Sequence, residues 1–178
     1  MLERTVLVQL NIELHAHHRS FGSSYTEFQN RHESSNNNIG GVVGFVGNNS
    51  FVVNCYSTIE SIKSNGTYCS AVGYSKIGNI RNVYGNTVCN ASKAGVVVAN
   101  DKKAGTVWKV TTGSLLTLEQ MKEGPVAVAS TGETAANFAE ALSKGAEEFT
   151  SMSTNVLPTK PEVTLRLWEI SASYPVFK

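Results

Sequence analysis

The chain has 178 residues, the length of one domain, and its 15 basic and 14 acidic residues leave a formal net charge of +1. So even a balance argues against binding to a generic polyanion, which needs a basic excess or a basic stripe. Charged residues make up 16% of the chain and hydrophobic residues 41%, a combination that argues against disorder.

The N-terminal segment, residues 1–35, matches neither the repeats nor the C-terminal segment of the chain. Its apolar run from Val6 to Leu10 contains Gln9 and is shorter than the hydrophobic region of a signal peptide. The segment is either an eroded first coil or N-terminal cap, or a truncated leader in a fragment of a longer exported protein. We favour the fragment, because two or three coils are close to the minimum for a stable stack.

The histidines of this segment form one cluster, His15, His17 and His18, with His32 further along. Three histidines this close are able to hold a transition metal. No carboxylate or cysteine stands at a recognisable ligand spacing, however, and no H-E-x-x-H motif is present. We therefore interpret the cluster as part of a polar segment and predict no metal site.

The middle segment, residues 36–113, is poor in charge and rich in glycine and asparagine. It contains eleven of the 15 glycines of the chain and twelve asparagines. Between Ser34 and Asn100 the charged residues are only Glu60, Lys63, Lys76, Arg81 and Lys93. Rows of like charge repel one another across strands about 4.8 Å apart, so the low charge favours stacked strands.

Two stretches of the middle segment repeat each other. Val43-Gly44-Phe45 aligns with Val72-Gly73-Tyr74 at a spacing of 29 residues, and Asn54-Cys55-Tyr56 aligns with Asn82-Val83-Tyr84 at a spacing of 28. Short β-branched runs between Gly and Asn turns predict short strands in each unit. Stacking of the units predicts three ladders of side chains: Asn54 above Asn82, Tyr56 above Tyr84 and Phe45 above Tyr74. A third, degenerate unit is predicted over residues 88–109.

The repeat resembles a known family of bacterial surface proteins. The run G-G-V-V-G-F from Gly40, followed by N-C-Y-S-T from Asn54, is similar to the GLUG repeat of adhesin-like and IgA-peptidase-associated proteins. In the second unit Cys69-Ser70-Ala71 stands in place of the glycine pair, and Val83 in place of the cysteine. The C-terminal motifs of the family are also matched, by Leu116 to Lys122 and by Trp168 with Tyr174-Pro175-Val176-Phe177-Lys178.

The resemblance runs from Asn37 to Lys178 and implies a cell-surface or secreted location and no catalytic residues. It also implies the predicted fold, which is mainly β: a short right-handed parallel β-solenoid (β-helix) with a small C-terminal α/β cap. The Gly- and Asn-rich, charge-poor composition of the middle predicts the domain boundaries, with an N-terminal segment at 1–35, β-solenoid repeats at 36–113 and the cap at 114–178.

The cap is predicted to contain two helices and a final strand. A capping box with Thr117 as N-cap and Gln120 at N3 predicts the first helix, and the second is expected from Glu133 to Lys144, with Gly145 after its end. Its apolar face consists of Ala135, Phe138, Ala139 and Leu142. The strand is predicted from Val163 to Trp168. Six apolar residues are expected to cover the open edge of the last coil: Leu118, Met121, Phe138, Leu142, Trp168 and Tyr174.

The cysteines Cys55, Cys69 and Cys89 are odd in number and widely spaced, and no C-x-x-C is present. A zinc site is therefore not predicted. We interpret the cysteines as small buried hydrophobic residues. The alternative is a disulfide, which would leave one thiol over.

The predicted function is a non-catalytic structural or adhesive repeat module of a bacterial cell-surface or secreted protein, with glycans or host extracellular-matrix proteins as partners. The alternative is a carbohydrate-active enzyme, a lyase or hydrolase, on a β-helix scaffold. Glycoside hydrolysis needs a carboxylate pair about 5–10 Å apart, whereas the repeat has Glu60 alone, with Asp101 just beyond it. We expect no catalytic, cofactor-binding or metal-binding residue, no cofactor, no nucleic-acid partner and no membrane insertion.

Overall fold

The structure is a computed structural model that describes residues 7–8, 11–12, 38–46, 51–60, 67–75, 79–88, 111–153, 164–171 and 174–178. Within these ranges no helix has the length and apolar character needed to cross a membrane. The elements, in chain order, are β1 (Leu7–Val8), β2 (Asn11–Ile12), β3 (Asn38–Gly40), β4 (Val43–Val46), β5 (Phe51–Ser57), β6 (Thr67–Cys69), β7 (Val72–Ser75), β8 (Asn79–Asn86), β9 (Thr111–Leu116), α1 (Leu118–Lys122), β10 (Val126–Ala127), β11 (Thr134–Ala135), α2 (Phe138–Ser151), β12 (Trp168–Glu169) and β13 (Val176–Phe177).

The main sheet is parallel and runs in the order β1-β5-β8-β9, with β2 also paired to β5. Two further parallel pairs, β3 with β6 and β4 with β7, come from the same repeats. Val43 lies opposite Val72, and Tyr56 lies opposite Tyr84. The predicted alignment of the two repeats at spacings of 29 and 28 residues is therefore confirmed.

Strand β5 is buried along its whole length. Val52 and Cys55 belong to an apolar cluster with Ile80 and Val83 of β8, whereas Phe51 packs on the side where helix α2 lies. Burial on both faces explains why the strand is rich in β-branched and aromatic residues instead of alternating apolar and polar ones.

The register of the main sheet changes between β8 and β9. Ile80 lies opposite Thr111 and Val83 lies opposite Gly113, so β8 has one residue more than β9 in this stretch. The extra residue falls at Asn82, whose φ is +51° and whose N–H donates to the Thr112 hydroxyl oxygen at 2.9 Å. Strand β8 therefore has a β-bulge at Asn82, and the asparagine position of the repeat is taken by a threonine in β9.

The two helices follow the prediction in part. Helix α1 has the predicted capping box, with the Thr117 hydroxyl accepting from the Gln120 N–H at 3.1 Å. Helix α2 begins and ends later than predicted, at Phe138 and Ser151, and Gly145 lies inside it. Of its predicted apolar face, Phe138, Ala139 and Leu142 lie in the helix, whereas Ala135 lies in β11, and all four are buried. The predicted strand Val163–Trp168 is wrong: residues 164–167 are not strand, the strand is Trp168–Glu169, and Val163 lies outside the described residues.

The predicted fold class, a mainly β right-handed parallel β-solenoid (β-helix) with a small C-terminal α/β cap, is wrong. The part of the chain that the structure describes is a mixed fold of short sheets, some parallel and some antiparallel, with two helices, and it contains no solenoid. The physical reason is the position of the C-terminal residues. Tyr56 and Tyr84 of the parallel sheet share one apolar cluster with Phe138 and Leu142 of α2. The helices are thus a layer of the core and not an end cap.

The six residues expected to cover the edge of the last coil do pack together, but in another place. Met121, Phe138, Leu142, Trp168 and Tyr174 belong to the cluster that contains Tyr56 and Tyr84, and Leu118 packs against it. They therefore cover the face of the main sheet through β5 and β8. The expectation that they cover the edge of a last coil is therefore wrong, although all six contribute to one apolar cluster.

Candidate functional site

The centre of the described residues contains a pair of stacked asparagines. Asn54 and Asn82 are fully buried and have left-handed backbone conformations, with φ of +55° and +51°. Asparagine tolerates this region better than β-branched or aromatic residues do, which explains why it interrupts two strands made of such residues. The side-chain amide of Asn82 donates to Asn54 Oδ1 at 2.6 Å. The predicted ladder of Asn54 and Asn82 is confirmed.

Tyr84 extends the asparagine pair to the C-terminal residues. Its hydroxyl donates to Asn82 Oδ1 at 2.8 Å and accepts from the Ala129 N–H at 2.9 Å. Burial raises the pKa of Tyr84 to about 12, against the smaller opposing effect of the Ala129 N–H. The phenol therefore keeps its proton at neutral pH and acts as a donor to the asparagine.

Helix α2 crosses the asparagine pair at Gly145. A β-carbon at this position would overlap the side-chain amide of Asn82 and lie 2.9 Å from Asn54 Oδ1. Only glycine lets the helix approach the two amides so closely. This contact is the reason that Gly145 lies within the helix, although glycine is a poor helix former.

Tyr56 makes a second set of contacts between the parallel sheet and the C-terminal residues. Its hydroxyl donates to the Pro175 carbonyl oxygen at 2.8 Å. Its ring lies 5.2 Å from the ring of Phe138 in an edge-on arrangement and 5.6 Å from that of Trp168. Both tyrosines of the predicted ladder thus bind C-terminal residues, which the sequence repeat alone does not indicate.

An ion pair joins the sheet to the helix beside this site. Arg81 of β8 binds Glu148 of α2 with two nitrogens, and its Nε lies 3.2 Å from Glu148 Oε2. The side chains are 11% and 24% exposed. Two parallel hydrogen bonds fix the orientation of a guanidinium on a carboxylate, so this pair also sets how α2 lies on β8.

A shallow surface depression lies at the start of helix α2. It encloses about 190 Å³ of empty space, open solvent included, and its lining contains Lys122, Asn137, Ile170 and Tyr174. The Lys122 ammonium lies 5.2 Å from the centre of the Tyr174 ring. The volume is below the roughly 300–1,000 Å³ of small-molecule sites, and its lining contains no carboxylate.

The residues considered for chemistry are not brought together in the described ranges. Glu60 is exposed and follows the end of β5 by three residues. Asp101 lies outside the described residues, as do His15, His17, His18 and His32. Among the described side chains no group of three or more His, Cys, Asp or Glu is placed to hold a metal ion.

Cys55 is fully buried, and its thiol donates to the Val53 carbonyl oxygen at 3.0 Å. Its interpretation as a small buried residue is confirmed. Cys89, the side chain of Cys69, the Phe45 and Tyr74 side chains and nearly all of the third unit at 88–109 lie outside the described part of the chain. For Phe45 and Tyr74 the backbone register is described, and it places them opposite each other.

Sequence reasoning missed three features of this site: the contact of Gly145 with the asparagines, the bond from Tyr84 to Ala129, and the Arg81–Glu148 pair. One signal was present, because a glycine inside an amphipathic run that continues to Phe149 indicates a close approach. Comparison of the chain with models of protein families, with curated proteins and with solved structures gives no match.

Proposed function

We propose that this chain is a non-catalytic structural or adhesive repeat module of a bacterial cell-surface or secreted protein. The observation that supports it most is the hydrogen-bond chain from Asn54 through Asn82 and Tyr84 to the backbone of Ala129. These central polar groups bind one another and join two layers of the fold. Hydrogen bonds that link two layers through buried groups hold the layers in one arrangement, which suits a stalk or a display surface.

The proposed location and partners are supported by the sequence. The Gly40 and Asn54 motifs resemble the GLUG repeat of bacterial surface proteins. Glycans and host extracellular-matrix proteins are the partners that such a context favours. The low charge of residues 36–113 fits neutral polar ligands better than polyanions, whose binding depends on clustered Lys and Arg.

The adhesive part is tested with the purified full chain on a glycan array and on immobilised matrix proteins. We expect saturable binding that disappears when the chain is heated above its unfolding midpoint. The bound glycans are then incubated with the chain and assayed for new reducing ends. Time-dependent cleavage would show an enzyme and would overturn the non-catalytic proposal.

The structural part is tested by unfolding. Since one hydrogen-bond chain joins the parallel sheet to the C-terminal layer, far-UV and near-UV circular dichroism are expected to give the same urea midpoint. Two separate transitions would mean that the layers unfold independently, which contradicts a single stiff module.

A further inference from the structure

We draw no further inference here: the strongest candidate, the edge of strand β9 that faces away from β8, where Gly113 and Leu115 are exposed and with which no described strand pairs, carries none, because nothing in the structure shows what covers it.

Discussion

Ser70 occupies the space that a side chain at Gly85 would need. A β-carbon at Gly85 would overlap the Ser70 hydroxyl and lie 2.9 Å from Ser70 Cβ. In the first repeat the two residue types are exchanged: Gly41 stands at the position of Ser70 and Ser57 at the position of Gly85. A β-carbon at Gly41 would overlap the Ser57 hydroxyl in turn. Each repeat thus packs one glycine against one serine, and the two residue types exchange positions between the first repeat and the second.

Exchanging the two residues of the second repeat should restore what a single substitution loses. Gly85→Ser overpacks the contact with Ser70 and is expected to lower the free energy of unfolding by about 1–3 kcal/mol. Adding Ser70→Gly recreates the glycine and serine arrangement of the first repeat. In the double variant the nearest atom that remains to a β-carbon at position 85 is Leu115 Cδ2, at 3.2 Å. Urea unfolding of the single and double variants measures both values. If the double variant were no more stable than Gly85→Ser, the conclusion that glycine and serine are interchangeable across this contact would be wrong.

Gly145→Ala is expected to destabilise the protein although alanine is the better helix former by about 1 kcal/mol. The new methyl group would overlap the Asn82 amide and push α2 away from the asparagine pair. The expected loss is about 1–3 kcal/mol in the free energy of unfolding, measured by urea titration. Glu147→Ala, at an exposed position of the same helix, is the control and should change stability little. A Gly145→Ala chain as stable as the parent would show that the helix does not need this contact.

The Arg81–Glu148 pair should show a larger coupling energy than a surface pair. A double-mutant cycle with Arg81→Met and Glu148→Gln is expected to give about 1–2 kcal/mol, since the pair is bidentate and mostly buried. The matched control is Glu140 with Lys144, a more exposed pair on α2 at 3.4 Å, whose coupling energy is expected to be smaller because water screens it. Similar coupling energies for the two cycles would mean that the first pair does not hold the helix on the sheet.

Stability should fall between about pH 10 and pH 12 because of Tyr84. In the folded chain its pKa is raised to about 12 from the ordinary 10.0 by burial. Below pH 10 the folded and unfolded chains both hold the phenol proton. Above it the unfolded chain loses that proton first, so unfolding becomes more favourable by up to about 2–3 kcal/mol at pH 12.

The measurement is the free energy of unfolding of the parent and of Tyr84→Phe from pH 8 to pH 12. The difference between them should stay constant below pH 9 and shrink as the pH rises through this window, because phenylalanine has no proton to lose. Curves that remain parallel to pH 12 would show that Tyr84 is not the group responsible.

Several local features of the fold were predictable from the residues alone. The spacing of Asn54 and Asn82 indicated their stacking, because a repeat in sequence becomes a parallel register when its strands pair. Thr117 and Gln120 indicated the start of α1, because a capping box acts within a few residues. Phe138 and Leu142 were assigned correctly to the buried face of a helix, since their spacing follows the helical period.

The end of α2 and the fold class were decided by contacts between distant parts of the chain. From the sequence, Gly145 indicates the end of a helix. In the structure it lies inside α2, because Asn82 packs against it and leaves no room for a side chain. From the sequence, the repeats indicate a mainly β solenoid. In the structure Phe138 of α2 packs on Tyr56 and Tyr84, so a helix forms part of the core. Burial of these aromatic rings requires a second layer of apolar residues. The residues that supply it, such as Phe138, lie more than fifty positions away from Tyr84 in the sequence.

The sequence by itself therefore determined the repeat, its register and the polar residues at its turns, since these depend on local conformational preference and on periodicity. The tertiary structure decided that the asparagines of the repeat lie against Gly145 of α2 and that its tyrosines form hydrogen bonds with C-terminal residues. Hydrogen bonds such as that from the Ala129 N–H to the Tyr84 hydroxyl have no local signature, because donor and acceptor meet only after both layers have folded. The low charge of the repeat follows from the local pattern, whereas the partly buried Arg81 has its ion-pair partner, Glu148, on a distant helix.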